Sequence, residues 1–128
     1  MILDEHLNWN EHISDVCNKL KRYFKTFYCI RRYIKIEQIK TIYYSLIYSH
    51  INFSITVYGS ANKTKLARIQ TIQNKLLKVL LAKIYRYSTN HLHNELNILK
   101  VSDISKVDTL TFVHNYFNNK LPKVFNNY

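Results

Sequence analysis

The chain has 128 residues, 47% of them apolar, with a formal charge of +11 and only one glycine and one proline. So few turn formers argue against a β-sandwich or barrel, and the same scarcity argues against a disordered linker. One domain's worth of chain is present, no long apolar run escapes interruption by Lys or Arg, and Met1-Ile2-Leu3-Asp4-Glu5 lacks the basic-then-apolar order of a secretory signal. The reading is therefore an intracellular protein, cytoplasmic or nuclear, without a membrane partner. A basic domain of this kind attracts polyanions, nucleic acid above all. Lys, Asn, Ile and Tyr are all abundant, so AT-rich codon usage is a competing source of the charge.

Residues 2–4 can form the end of a strand. Leu7 and Trp9 lead into Asn10, a plausible N-cap. Ile13, Val16, Cys17, Leu20, Phe24, Phe27 and Ile34 then recur on one face of a long helix over about 11–34. Lys21, Arg22, Lys25, Tyr28 and Arg32 fall on another face. Cys17 and Cys29 lie about 18 Å apart along that helix and about 120° around it. They cannot pair with each other and read as reduced, buried thiols. A second helix spans about 37–51, with Ile39, Ile42, Tyr43, Leu46, Ile47 and Ile51 as its stripe. Asn52-Phe53-Ser54 and Gly59, the chain's one residue free to take φ > 0, predict a bend or break between 52 and 61.

The third helix begins near Asn62 or Lys63 and runs to about 84, burying Leu66, Ile69, Gln73, Leu76, Leu77 and Leu80. Lys65, Arg68, Lys75 and Lys78 fall in a sector of about 140° away from that face. A short helix at 91–96 follows. A connection with Leu99 as a buried candidate then leads to a last helix at about 103–118, capped by Ser102. Its stripe is Ile104, Val107, Leu110, Thr111, His114 and Phe117. The fold class is thus an all-α bundle of four or five helices, with room for a short N-terminal strand remnant.

Catalytic chemistry finds little support. Eight acidic residues are spread along the chain, and none forms the Tyr-x-Asp-Asp turn that two-metal polymerase chemistry would use. His91-x-His93, and His6 with His12, lack a second ligand pair at zinc-like spacing. One glycine cannot build a phosphate loop or a nucleophile elbow. No metal or other cofactor is expected in this chain. What remains is two basic stripes interleaved with tyrosines: Lys21, Arg22, Lys25 and Arg32 on the first helix, and Arg68, Lys75 and Lys78 on the third. Cations on helices neutralise phosphates and position a duplex without reading its bases. Trp9 and His12 read as structural, with Trp9 stapling the first helix to the core and His12 bonding backbone. Tyr43, Tyr44 and Tyr48 read as packed rings with exposed hydroxyls.

Four short signatures occur in order. They are Leu3-Asp4-x-x-Leu7-x-Trp9-x-x-His12-Ile13; Ile42 to His50 followed by Val57-Tyr58-Gly59; Leu66-x-x-Ile69-Gln70-x-x-Gln73-Asn74-Lys75; and Glu95-Leu96-Asn97-Ile98-Leu99-Lys100-Val101. In that order and spacing the chain resembles the segment after the catalytic palm in reverse transcriptases of non-LTR (LINE-type) retrotransposons: the thumb and its C-terminal helical extension. Tyr58 stands where the family often has Trp, and Phe53-Ser54 where it often has Tyr-Gly. The family's strand before Leu3 and its continuation after Leu121-Pro122 are absent, so the resemblance implies a fragment truncated at both ends or opened at an internal methionine.

The resemblance further implies residues 1–10 as a palm-junction remnant, 11–84 as three main helices and 85–128 as a C-terminal helical extension. It implies a segment that is non-catalytic by itself, gripping the backbone of an RNA–DNA hybrid or DNA duplex, with the missing palm as a protein partner. Magnesium would belong to that palm. The alternatives are a stand-alone helical protein-interaction module whose charge is codon bias, and a decayed reading frame.

Overall fold

The computed structural model describes residues 2, 3, 5–53 and 55–127; Met1, Asp4, Ser54 and Tyr128, which the sequence reading touches, lie outside them. The regular structure of the described residues is helical, and the chain is an all-α bundle. Ile2 and Leu3 are not in a strand.

Helices α1 (Asn10–Lys21) and α2 (Tyr23–Ile30) form one rod, because Arg22 between them keeps helical angles of φ −62° and ψ −25°. Asn10 is already inside α1. The cap position belongs to Trp9, in the left-handed region at φ 61° and making no side-chain cap bond. That conformation costs a non-glycine residue about 1–2 kcal/mol. Burial of the indole, 7% exposed, offsets it and sets the angle at which the chain meets the helix. The rod stops at Ile30 rather than near 34. There Gln38 Oε1 accepts from the Lys35 N–H at 3.0 Å and starts the next helix.

Helix α3 (Ile36–Ile42), a π-helical segment (Tyr43–Tyr48) and α4 (Ser49–Asn52) follow one another without a gap. Phe53, at ψ 112°, ends this run, and the single turn α5 (Ile55–Tyr58) follows. Gly59 does not use its freedom to take positive φ. It is needed for proximity instead, since a Cβ there would lie 2.2 Å from Ser105 Oγ and 2.4 Å from the Ile55 carbonyl oxygen.

Helix α6 (Lys63–Leu80) is capped by Asn62, whose Oδ1 accepts from the Thr64 N–H at 3.0 Å. It ends about four residues before the sequence reading places its end. Ala82 adopts φ 53°, the Lys83 N–H bonds back to the Lys78 carbonyl at 2.9 Å, and the Ala82 N–H to Val79 at 3.1 Å. This is a Schellman closure on alanine. Asn97 closes α7 (Thr89–Leu96) in the same way, and Asn119 closes α8 (Val101–Phe117). Three helices therefore end by left-handed caps without glycine. The turn at Asn97 buries Ile98 and leaves Leu99 47% exposed, the reverse of the expectation for Leu99. Ser102 is not the cap of α8. Lys100 holds that position, and the first helical N–H, of Val101, donates to Gln70 Oε1 at 2.7 Å.

Only the start of α8 is packed. Val101 and Ile104 are buried, Ser105 meets Gly59, and the Thr56 hydroxyl donates to the Asp108 carboxylate. Beyond that point the expected stripe is uncovered, with Val107 51%, Leu110 67% and Phe117 77% exposed. The helix outruns the short α5 against which it packs.

The core is a single apolar cluster joining Trp9, Ile13, Leu20 and Phe27 to Ile47, Ile51, Ile69, Leu76, Leu80 and Leu96. Full burial of each such side chain stabilises the fold by about 1.5–3 kcal/mol. Through the cluster runs a polar seam. Gln73, with no exposure, donates from Nε2 to Tyr43 Oη at 2.8 Å and to the Leu99 carbonyl at 3.1 Å, and accepts at Oε1 from Gln70 Nε2 at 2.8 Å. The Tyr43 hydroxyl is therefore buried, against the expectation of an exposed one; Tyr44 is exposed and Tyr48 half-buried. His93, 5% exposed, packs beside this seam with Nδ1 3.0 Å from the Ile98 carbonyl oxygen and Nε2 2.8 Å from the Asn74 amide.

Replacing Gln73 by Leu leaves the buried Tyr43 Oη without its partner, and about 1–3 kcal/mol should be lost in urea unfolding. Burial holds His93 and His12 below the ordinary histidine range. Below pH ~6.5 the unfolded chain then takes up protons that the folded core refuses. Thermal midpoints should be constant between about pH 7 and 8 and fall as the pH drops toward about 5, with a shallower fall in His93→Gln.

Candidate nucleic-acid interface

The α1–α2 rod and α6 lie side by side and run in the same direction. Lys65 Nζ donates to the Asn8 carbonyl at 2.9 Å, Arg68 Nη2 donates to Ser14 Oγ at 3.4 Å, and further along Phe24 and Arg31 share a groove with Lys75 and Lys78. This arrangement joins the two basic stripes. Lys21 and Lys25 lie within about 20° of Ser14 around the rod, on the flank that Arg68 reaches. Arg68 and Lys21 both act electrostatically on the Cys17 thiol, though burial dominates and pushes that thiol up. Lys21 and Lys25 are thus on one lip, and Arg68 and Lys75 on the other.

The remaining expected residues fall at the margins. Arg22 points about 80° further round the rod, toward solvent. Arg32 is exposed in the turn after α2. Lys78 is half-buried, and its ammonium donates to the Tyr85 carbonyl at 2.8 Å while lying 5.5 Å from that ring's centre.

Two cations were missed. The groove between α2 and α6, of about 290 Å³, is lined by Phe24, Arg31, Lys75, Lys78, Val79, Lys83 and Tyr85, four of them cationic and none acidic. Arg31 follows Phe24 by seven residues and Phe27 by four, so its spacing assigns it to the apolar face. It sits there just past the end of the core, with its guanidinium 4.2 Å from the centre of the Tyr28 ring. Lys83 reaches the groove because the chain turns back at Ala82, a cap that nothing in the local sequence announces. Among the described residues, ion pairs join Asp15 to Lys19 and Asp103 to Lys106 and involve none of the groove's cations. Among the described residues, no ion pair therefore offsets the charge of the groove's cations.

The other signature residues build the fold. Trp9 is in the core; His12 packs on the Tyr58 ring at 4.8 Å, and its Nδ1 accepts from the Ile2 N–H at 3.5 Å. Cys17 is buried, but Cys29 is exposed, against the reading of both as buried. It lies on the solvent side of the rod, about 160° from Ile13. Among the described residues no three His, Cys, Asp or Glu side chains converge to hold a metal ion, and no helix is long and apolar enough to cross a membrane.

The chain is 24% identical over 106 residues to the "Probable RNA-directed DNA polymerase from transposon X-element" of Drosophila melanogaster. The match covers 80% of this chain and 12% of that protein, so the chain corresponds to a small part of its relative's length. No family model matches. No solved structure matches. The likeness relates the chain to a region of a retrotransposon RNA-directed DNA polymerase.

A thiol reagent should modify Cys29 in the folded chain and spare Cys17, and both should react in denaturant. Mass mapping of the labelled peptides checks this, and equal labelling of the folded chain would mean that the rod does not pack on α6 as described.

Proposed function

We propose that this chain is a thumb-like segment of a retrotransposon reverse transcriptase that holds the sugar–phosphate backbone of a template–primer duplex. The observation that carries the proposal is the parallel seating of the α1–α2 rod on α6; helix spacing then puts Lys21 and Lys25 on the flank that faces Arg68 and Lys75. The charge of +11 and the likeness to a retrotransposon polymerase support it. The expected partner is an RNA–DNA hybrid or DNA duplex, contacted through phosphates and without base readout. In the full polymerase the carboxylates and magnesium would lie in the palm, and this segment would keep the primer end seated between additions.

The exposed apolar residues of α8, Val107, Leu110 and Phe117, favour a second reading, a helical module that binds protein. Salt separates the two. A grip using about six phosphates should weaken by ~10³-fold or more between about 50 and 200 mM salt, whereas a loss below tenfold would sink the duplex reading. In the same titration, Lys75→Glu with Lys78→Glu should weaken binding and flatten the salt dependence while the circular dichroism spectrum stays helical. A collapse of helicity would instead assign those lysines a structural role.

A further inference from the structure

We infer that the groove between α2 and α6 seats unpaired nucleotides of a strand running out of the duplex, with a base against the Tyr85 ring and phosphates on Arg31, Lys75, Lys78 and Lys83. This rests on the reading that the basic lips hold nucleic acid, and it adds what they hold at their far end. A duplex presents phosphates on a convex surface and keeps its bases inside, so it complements the lips but not a concavity. The groove is concave and has an apolar wall of Phe24 and Val79, both half-buried. Its volume of about 290 Å³ is at the small end of ligand-sized clefts, room for a base and too little for a helix.

The aromatic content points the same way. Three cation–π pairs have their cations on this groove: Arg31 over Tyr28 at 4.2 Å, Lys78 over Tyr85 at 5.5 Å and Lys83 over Tyr87 at 4.8 Å. Tyr85 is 80% exposed and Tyr28 55% exposed. Aromatic faces set among cations are how proteins hold single strands: bases stack on the rings, phosphates sit on the charges, and sequence matters little because every base has a π-face. RNA and DNA strands share this chemistry.

The test uses the full chain and fluorescence anisotropy at fixed salt with three probes: a blunt hybrid duplex, the same duplex with a single-stranded overhang, and the same duplex with an abasic overhang that keeps the phosphates. RNA and DNA overhangs form separate arms. The base-bearing overhang of at least one kind should bind about tenfold more tightly than the abasic one, the scale of one stacked base, and Tyr85→Ala should abolish that ratio. Tyr85 is exposed, so its loss should leave folding intact, and circular dichroism verifies this. Equal affinity for base-bearing and abasic overhangs in both arms, or an unchanged ratio in Tyr85→Ala, would overturn the inference while leaving the duplex grip standing. Binding of overhangs without binding of the blunt duplex would sink the duplex grip and support the groove.

Discussion

One buried amide ties the bundle together. Gln73 has no contact with solvent, and its side chain bonds Tyr43 from the π-helical segment, the Leu99 carbonyl from the connection before α8, and Gln70 from its own helix. Gln70 in turn caps α8 through the Val101 N–H. A polar group enclosed in this way is costly unless every partner is in place. The seam therefore admits one register of α6 against the π segment and the α7–α8 corner, where an apolar side chain would tolerate several. Three of the four sequence signatures meet at this residue. The first joins the second elsewhere, where His12 packs on Tyr58.

The consequence for the surface follows from helix geometry. The face of α6 that carries Gln73, Ile69 and Leu76 is fixed against the core, so the flank carrying Arg68, Lys75 and Lys78 is fixed beside the α1–α2 rod. The basic lips are thus held at constant separation by the core. The core thus fixes the backbone positions from which these exposed side chains project, while the lysine side chains themselves keep their rotamer freedom.

Much of this was legible in the sequence because the elements are amphipathic. The stripes from Ile13 to Phe27 and from Ile69 to Leu80 marked two helices, and Gln73 fell on a buried face by spacing alone. Its partners did not show, since Tyr43 and Leu99 are distant in sequence. Helix ends were the weakest part. Ala82 adopts a conformation usually reserved for glycine, and Asn97 and Asn119 do the same work less conspicuously. The error at Ala82 hid Lys83 from the site, and the regular spacing of Arg31 within an apolar stripe hid that cation too. The last helix misled in the opposite sense. A stripe from Ile104 to Phe117 implies a covering surface, and the fold supplies one only as far as Asp108.

The most direct measurement is amide chemical-shift mapping of the isotope-labelled chain as an RNA–DNA hybrid duplex is added. Shifts should run along the adjoining flanks of α1, α2 and α6, centred on Lys21, Lys25, Arg68 and Lys75, with Leu110 to Phe117 of α8 undisturbed. Shifts concentrated on α8 with the two basic lips unmoved would contradict the duplex grip.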